Sequence, residues 1–189
     1  MKVLITGACG HIGSFVADNM YKIPKIRETI LIDNFESSGF ASLYNLKKKN
    51  KLFFFIRDLN NKNSLNDFKN IKYLIHCASM TNAEKSFEKE KQMFKNNINS
   101  LRTVINFCKK KNVKLIHLSS TSVYGKQANI VDENCEKKYL KPQSPYAKIK
   151  LIEKNILKKE KNKLRYNTFR FGTIAGVSRG IRFHTAVNK

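Results

Sequence analysis

Tyr146 and Lys150 stand four residues apart, and Ser120 lies upstream of both. Residues at i and i+4 share one face of a helix. An ammonium beside a phenol favours the phenolate. A phenolate in turn can take the proton of a substrate hydroxyl while hydride leaves the carbon, and a serine hydroxyl can hold that substrate oxygen and share its proton. The Tyr-x-x-x-Lys spacing alone does not single out this pair, because Tyr21 with Lys25 and Tyr44 with Lys48 match it too. Position decides. Only Tyr146 opens a helix after a strand ending in Ser120, with Pro142, Ser144 and Pro145 fixing the helix entry.

Hydride chemistry needs an acceptor, and the first residues suggest how one is held. Thr6-Gly7-Ala8-Cys9-Gly10-His11-Ile12-Gly13 follows the apolar run Val3-Leu4-Ile5 and opens an amphipathic pattern of Ile12, Phe15, Val16 and Met20. Strand, glycine turn and helix form the context in which such a triplet signals dinucleotide binding. One glycine makes the turn at positive φ, one lets the backbone approach a pyrophosphate, and one lets the helix pack close to the strand. The amides at the helix start then face the phosphates. A plain strand–helix turn would also carry glycines, and the spacing here is Gly-x-x-Gly-x-x-Gly. Asp33 separates the two readings. It follows Thr29-Ile30-Leu31-Ile32, about twenty residues past the last glycine, where an acid accepts hydrogen bonds from the adenosine ribose. It would repel a 2′-phosphate, so the cofactor expected is NAD.

These residues need a scaffold. Strands are expected at Val3–Ile5, Thr29–Ile32, Leu52–Ile56, Tyr73–His76, Leu115–Leu118 and Thr168–Phe171. The run Leu52–Ile56 is apolar throughout, as a buried parallel strand is. Long helices are expected around Met93–Cys108, with Met93, Asn97, Leu101, Val104, Ile105 and Cys108 on one face, and over Tyr146–Lys159, with Ile149, Ile152 and Ile156 inward. Short helices are expected at Leu43–Leu46 and Ser64–Phe68, and Ser37, Ser38 and Gly39 mark a turn. Alternating strands and helices imply an α/β, doubly wound parallel sheet. Ligands bind at the carboxyl ends of such strands, which here carry Gly7, Asp33, Asp58, Ala78, Ser120 and Gly172.

At 189 residues, 41% of them hydrophobic, the chain can bury one real core. No apolar run reaches the roughly 18 residues of a membrane helix, and no signal peptide opens the sequence, so the expected location is cytoplasmic. Cys9, Cys77, Cys108 and Cys135 show no paired spacing, which suggests free thiols and no metal site. The net charge is +23. Such an excess can mark a nucleic-acid partner. However, Lys47–Lys49, Lys109–Lys111 and Lys158–Lys163 fall at expected helix ends and loops, with few aromatics interleaved. The chain is also rich in Lys, Asn and Ile, residues of A/T-rich codons. A nucleic-acid partner is therefore not the expectation.

Taken together, the glycine turn, Asp33, Asp58, His76-Cys77-Ala78-Ser79, Ser119-Ser120-Thr121-Ser122-Val123-Tyr124-Gly125 and Ser144-Pro145-Tyr146 with Lys150 resemble the extended short-chain dehydrogenases/reductases. Within these, the likeness is to the NAD-dependent epimerase/dehydratase group acting on nucleotide sugars. The resemblance covers the whole chain. It implies a Rossmann domain with tightly held NAD over residues 1–176, and the start of a truncated substrate lobe at 177–189, where Arg182 is a candidate for a substrate phosphate. It implies cofactor contacts from Gly7, Gly10, His11, Ile12 and Gly13, from Asp33 and Asn34, and from Asp58 and Leu59 beside the adenine. Cys77, Ala78 and Ser79, with Asn96, Gly172, Tyr146 and Lys150, complete that set, and Ser120, Tyr146 and Lys150 are the implied catalytic residues. Members also pair through their two long helices, so a homodimer is implied. Dehydratases of the group carry Asp-Glu where this chain has Thr121-Ser122, which points to an epimerase or a reductase. Two rivals stand beside this reading: a non-catalytic dinucleotide-binding module, either regulatory or RNA-binding through the lysine excess, and an inactive fragment.

Overall fold

The computed structural model describes residues 1–36, 40–44, 46, 51–81, 87–127 and 130–181. The expected turn at 37–39, the lysines at 47–49 and Arg182 lie outside them. Six strands form one sheet in the order β3-β2-β1-β4-β5-β6, every pair parallel. They are β1 Lys2–Thr6, β2 Glu28–Asp33, β3 Lys51–Ile56, β4 Ile71–His76, β5 Lys114–Ser120 and β6 Tyr166–Phe171. Three helices cross between them: α1 His11–Asn19, α2 Glu90–Lys111 and α3 Pro145–Lys159. The strand order reverses between β1 and β4, the place where open sheets of this kind hold their ligands.

Side-chain alternation along β1 divides the core between two layers. Leu4 joins Leu74, Leu115, Leu101, Val104 and Leu157 under α2 and α3. Val3 and Ile5 join Ala17, Met20 and Leu31 under α1. All six apolar-face residues expected on α2 are buried. That helix closes on Asn112 in the left-handed conformation (φ 53°), a residue type that tolerates it. Lys109, Lys110 and Lys111 fill its last turn, where positive charge suits the helix dipole. Ser144 caps α3 by accepting from Ala147 N at 3.2 Å, and Pro145 takes the first helical position.

The structure departs from sequence expectation in four places. β3 is an edge strand, with Phe53 45% and Ile56 57% exposed; an apolar run does not reveal how many neighbours a strand will have. Residues Ser64–Phe68 form successive turns, not a helix, and the short helix near Leu43 is a 3-10 turn over Phe40–Leu43. On α3 the inward face carries Ile149, Lys150, Glu153 and Leu157, while Ile152 points out. The face is rotated because a Lys–Glu pair, not an isoleucine, meets the sheet.

The glycine turn sets how closely these layers approach. Gly7 has φ 65°, and a Cβ there would lie 2.5 Å from Ala78 N. A Cβ on Gly13 would lie 2.0 Å from the Gly7 carbonyl oxygen. Both obstacles are backbone and cannot swing aside. Gly13→Ala is expected to cost about 1–3 kcal/mol as the helix is pushed off the strand, read as a lowered urea midpoint with an unchanged slope.

Candidate active site

The turn between β1 and α1 is closed by its own backbone. Gly10 N donates to the Gly7 carbonyl at 3.1 Å, and Ser14 N donates to the Gly10 carbonyl at 2.9 Å. No side chain caps α1. The first amides of a helix have no intrahelical partner, so His11 and Ile12 open a site suited to an anion. Gly10 itself sits at φ −74°, ψ 172°, a conformation open to any residue. Backbone handedness therefore does not require glycine at this position.

Asp33, nearly buried, ends β2 beside this turn. Oδ2 accepts from Cys9 N at 2.9 Å and Oδ1 from Phe35 N at 2.9 Å. Those bonds aim the carboxylate and leave each oxygen a further lone pair. Asn34 follows, its Oδ1 accepting from Glu36 N. After β3, Asp58 Oδ1 accepts from Asn60 N at 2.8 Å, and Asn60 Nδ2 donates to Asn96 Oδ1 at 2.7 Å. This chain of bonds ties the loop carrying Asp58 and buried Leu59 to α2. An open pocket of about 640 Å³ lies on that side, lined by Arg57, Asp58, Asn61 and Asp67 among others. None of Ser120, Tyr146 or Lys150 lines it.

The segment after β4 is held from both ends. Cys77 N donates to the Thr6 carbonyl at 3.0 Å. Asn97 grips Met80, accepting from its N at 2.8 Å and donating to its carbonyl at 3.0 Å. Cys77, Ala78 and Ser79 therefore run along the top of the sheet between two anchors. Sequence reasoning placed Asn97 on the core face of α2 and missed this grip; a buried amide among apolar positions was the available signal. Gly172 follows β6, and the preceding carbonyl, Phe171 O, accepts from Thr121 Oγ1 at 3.3 Å. Further on, the Gly176 carbonyl lies 3.0 Å from His11 Nε2, and Gly180 N donates to Ser14 Oγ at 2.8 Å. The chain thus returns across the glycine turn.

Tyr146 and Lys150 come together as their spacing requires, with Lys150 Nζ 5.7 Å from the Tyr146 ring centroid. Nζ also donates to the Leu118 carbonyl at 3.2 Å, two residues before Ser120. Ser120 Oγ accepts from Ser122 N at 3.1 Å, an interaction that orients the hydroxyl at the strand end.

Behind these residues lies a polar row, buried at Thr6, His76 and His117 and exposed at Thr168. Thr6, His76, His117 and Thr168 sit in register on β1, β4, β5 and β6. Thr6 Oγ1 is 2.8 Å from His76 Nδ1, and Thr168 Oγ1 is 3.4 Å from His117 Nδ1. A carboxylate only accepts, so His117 donates its Nε2–H to Glu153 Oε2 at 3.0 Å. The same oxygen accepts from Lys150 Nζ at 2.8 Å. The i, i+3 pairing of Lys150 with Glu153 was readable in the sequence. The bond from His117 of β5 to that pair was not.

Burial sets the charge states. It pushes the Cys9 and Cys77 thiols up to about 12, so neither serves as a thiolate nucleophile. It also lowers His76 to about 3, with His117 adding to the effect. His117 is lowered by burial as well, against the pull of its bond to Glu153. Burial would raise the Glu153 carboxyl, but the Lys150 ammonium and the His117 N–H hold it down at about 2. Burial also opposes charge on Lys150, and the Glu153 carboxylate outweighs it, so that lysine is raised above its ordinary value.

The residues present fit a dinucleotide. The turn has the clearance that only glycine leaves, the helix start offers amides, and an oriented carboxylate ends the second strand. Residues 3–189 match the model of the NAD dependent epimerase/dehydratase family. The UDP-glucose 4-epimerase uge1 of Schizosaccharomyces pombe is 28% identical over 169 residues, covering 84% of this chain and 46% of that protein. The dTDP-D-glucose 4,6-dehydratase of Dictyostelium discoideum is 30% identical over 77% of this chain and 37% of its own length. Among solved structures, the UDP-N-acetylglucosamine 4-epimerase from Methanobrevibacter ruminantium M1, in complex with UDP-N-acetylmuramic acid, superposes with a TM-score of 0.75 at 28% identity. It covers 89% of this chain and 54% of that one. The chain spans about half the length of the epimerases it matches, and less of the dehydratase. Among the described residues, no helix is long and apolar enough to cross a membrane.

The buried row makes stability depend on acid. A group whose folded pKa lies below its unfolded value stabilises above the unfolded value and loses that contribution as pH falls. His76, ordinarily near 6.5 and here about 3, opens the loss below pH 6.5; Glu153, ordinarily near 4.5 and here about 2, extends it. The melting temperature is expected to fall progressively between about pH 6.5 and about pH 3. His76→Asn should flatten the upper part of that profile, measured by circular dichroism.

Proposed function

The chain belongs to the NAD dependent epimerase/dehydratase family, and on that footing we propose that it carries the NAD-binding and proton-transfer machinery of a nucleotide-sugar epimerase or oxidoreductase. The observation that supports this most is the junction at the end of β5. There Lys150 reaches from one turn beyond Tyr146 to the carbonyl of Leu118, just ahead of Ser120.

NAD, if bound, would supply a hydride acceptor for a sugar carbon and a donor for its return. The chain's own residues do the rest. Gly7, Gly10, His11, Ile12 and Gly13 cradle the phosphates, and Asp33 with Asn34 holds the adenosine ribose. Asp58 and Leu59 flank the adenine, while Cys77, Ala78, Ser79, Asn96 and Gly172 line the remainder. Ser120 holds the reacting sugar hydroxyl, and Tyr146 takes its proton and later returns it. Lys150 places positive charge beside the oxygen that carries negative charge during that transfer, and holds the nicotinamide ribose.

The positions of Thr121 and Ser122 favour epimerase or reductase over 4,6-dehydratase. Elimination of water needs an acid and a base there. Thr121 instead bonds Phe171 O, and Ser122 offers its backbone to Ser120. Pairing of two copies through α2 and α3 is supported by Phe94 and Ile152, which stay 44% and 37% exposed on those helices.

Isothermal calorimetry of the 189-residue chain with NAD is the direct test. Binding is expected, and Asp33→Ala should weaken it about tenfold or more by removing bonds to a charged acceptor. Asp33→Asn separates ligand contact from the support Asp33 gives Cys9 N, since the amide oxygen can still accept. A folded chain that ignores NAD but binds RNA with a steep salt dependence would favour the non-catalytic module. In a protein completed with a relative's remaining length, Tyr146→Phe should abolish turnover; full activity in that variant would falsify the acid/base assignment. Sedimentation equilibrium is expected to show a dimer in the parent chain and a monomer after Phe94→Lys with Ile152→Glu.

A further inference from the structure

Lys150 is 4% exposed and Glu153 2%. A lone ammonium so placed would shed its proton, because burial penalises the charged form. The titratable groups facing Lys150 among the described residues are Glu153 and Tyr146 on its own helix, His117 on β5, and His76 and Cys77 at the end of β4. Of these only Glu153 is a carboxylate. Its Oε2 is shared between Lys150 Nζ at 2.8 Å and His117 Nε2 at 3.0 Å. His117 is in turn fixed on its other nitrogen by Thr168 and, as a strand residue, by its register with His76. A buried ion pair gives little net stability, and an apolar pair would pack as well.

We propose that Glu153, oriented by His117, is the positioning residue that keeps Lys150 charged and aimed at the end of the fifth strand. The lysine then meets the cofactor side of the site already protonated and desolvated, without having to recruit a counter-charge when ligand arrives. This rests on reading Lys150 as the lysine beside Tyr146 and the nicotinamide ribose. Glu153 touches no reacting atom in this arrangement; it acts through Lys150.

The test is nitrogen-15 NMR of lysine side chains in the 189-residue chain, followed against pH. In the parent chain the Lys150 Nζ signal is expected to stay ammonium-like beyond about pH 10.4, where ordinary lysines titrate. In Glu153→Gln it should turn amine-like several pH units earlier, and Glu153→Asp should restore part of the difference. A Lys150 that keeps its proton equally well in Glu153→Gln overturns the proposal. Should that variant fail to fold, the parent chain decides alone: loss of the Lys150 proton before the exposed lysines also overturns it. Calorimetry separates this from the cofactor reading. If Lys150→Met leaves NAD affinity unchanged while protonation of Lys150 still depends on Glu153, the cofactor role of Lys150 falls and the positioning role of Glu153 stands.

Discussion

The close approach of three backbones at the glycine turn governs the geometry of the whole site. Gly13 of α1 lies over the Gly7 carbonyl, and Gly7 lies over the Ala78 amide. With no Cβ between them, the helix start, the end of β1 and the segment after β4 meet at backbone distance. That contact determines where the α1 amides point, and it draws Cys9 N within reach of Asp33. It also brings Ala78 N to within 3.4 Å of Thr6 Oγ1, next to the buried row. The amides at the start of α1 and the Asp33 carboxylate, the groups proposed to hold phosphate and ribose, thus share one support, and a methyl group at either glycine would disturb both.

The second organising feature is electrostatic. Two histidines of the sheet and a lysine and a glutamate of α3 are buried together in a region otherwise largely apolar. The arrangement is balanced: the histidines stay neutral, and the one ammonium faces the one carboxylate. Each of these four side chains makes at least one hydrogen bond, which offsets the cost of burying it. Thr6 and His76 end their strands, whereas His117 and Thr168 lie within theirs.

The lysine excess finds local structural uses. Lys109 bonds Glu160 at 2.7 Å and joins the ends of α2 and α3. Its neighbours Lys110 and Lys111, like Lys158 and Lys159 on α3, occupy last helical turns, where cations oppose the dipole's negative end. A net charge of +23 therefore does not require a polyanionic partner to explain how the fold accommodates it.

Local chemistry in the sequence was enough to determine much of this molecule. Glycine spacing after an apolar run located the turn, because only glycine fits such backbone contacts. An acid at the end of the second strand, a Ser-Pro entry before Tyr146 and a helical repeat from Met93 to Cys108 each depend on near neighbours in the chain. Tertiary structure decided what depends on distant ones. Whether Leu52–Ile56 is central or at an edge is a matter of strand order, which an apolar run does not encode. The inward turn of Glu153 in place of Ile152 follows from where His117 stands. The alignment of Thr6, His76, His117 and Thr168 exists only through the register of four strands far apart in sequence. A residue's local conformation is biased by a few adjacent residues. Its charge state and its partners are set by whatever folding brings against it, and no local pattern contains that.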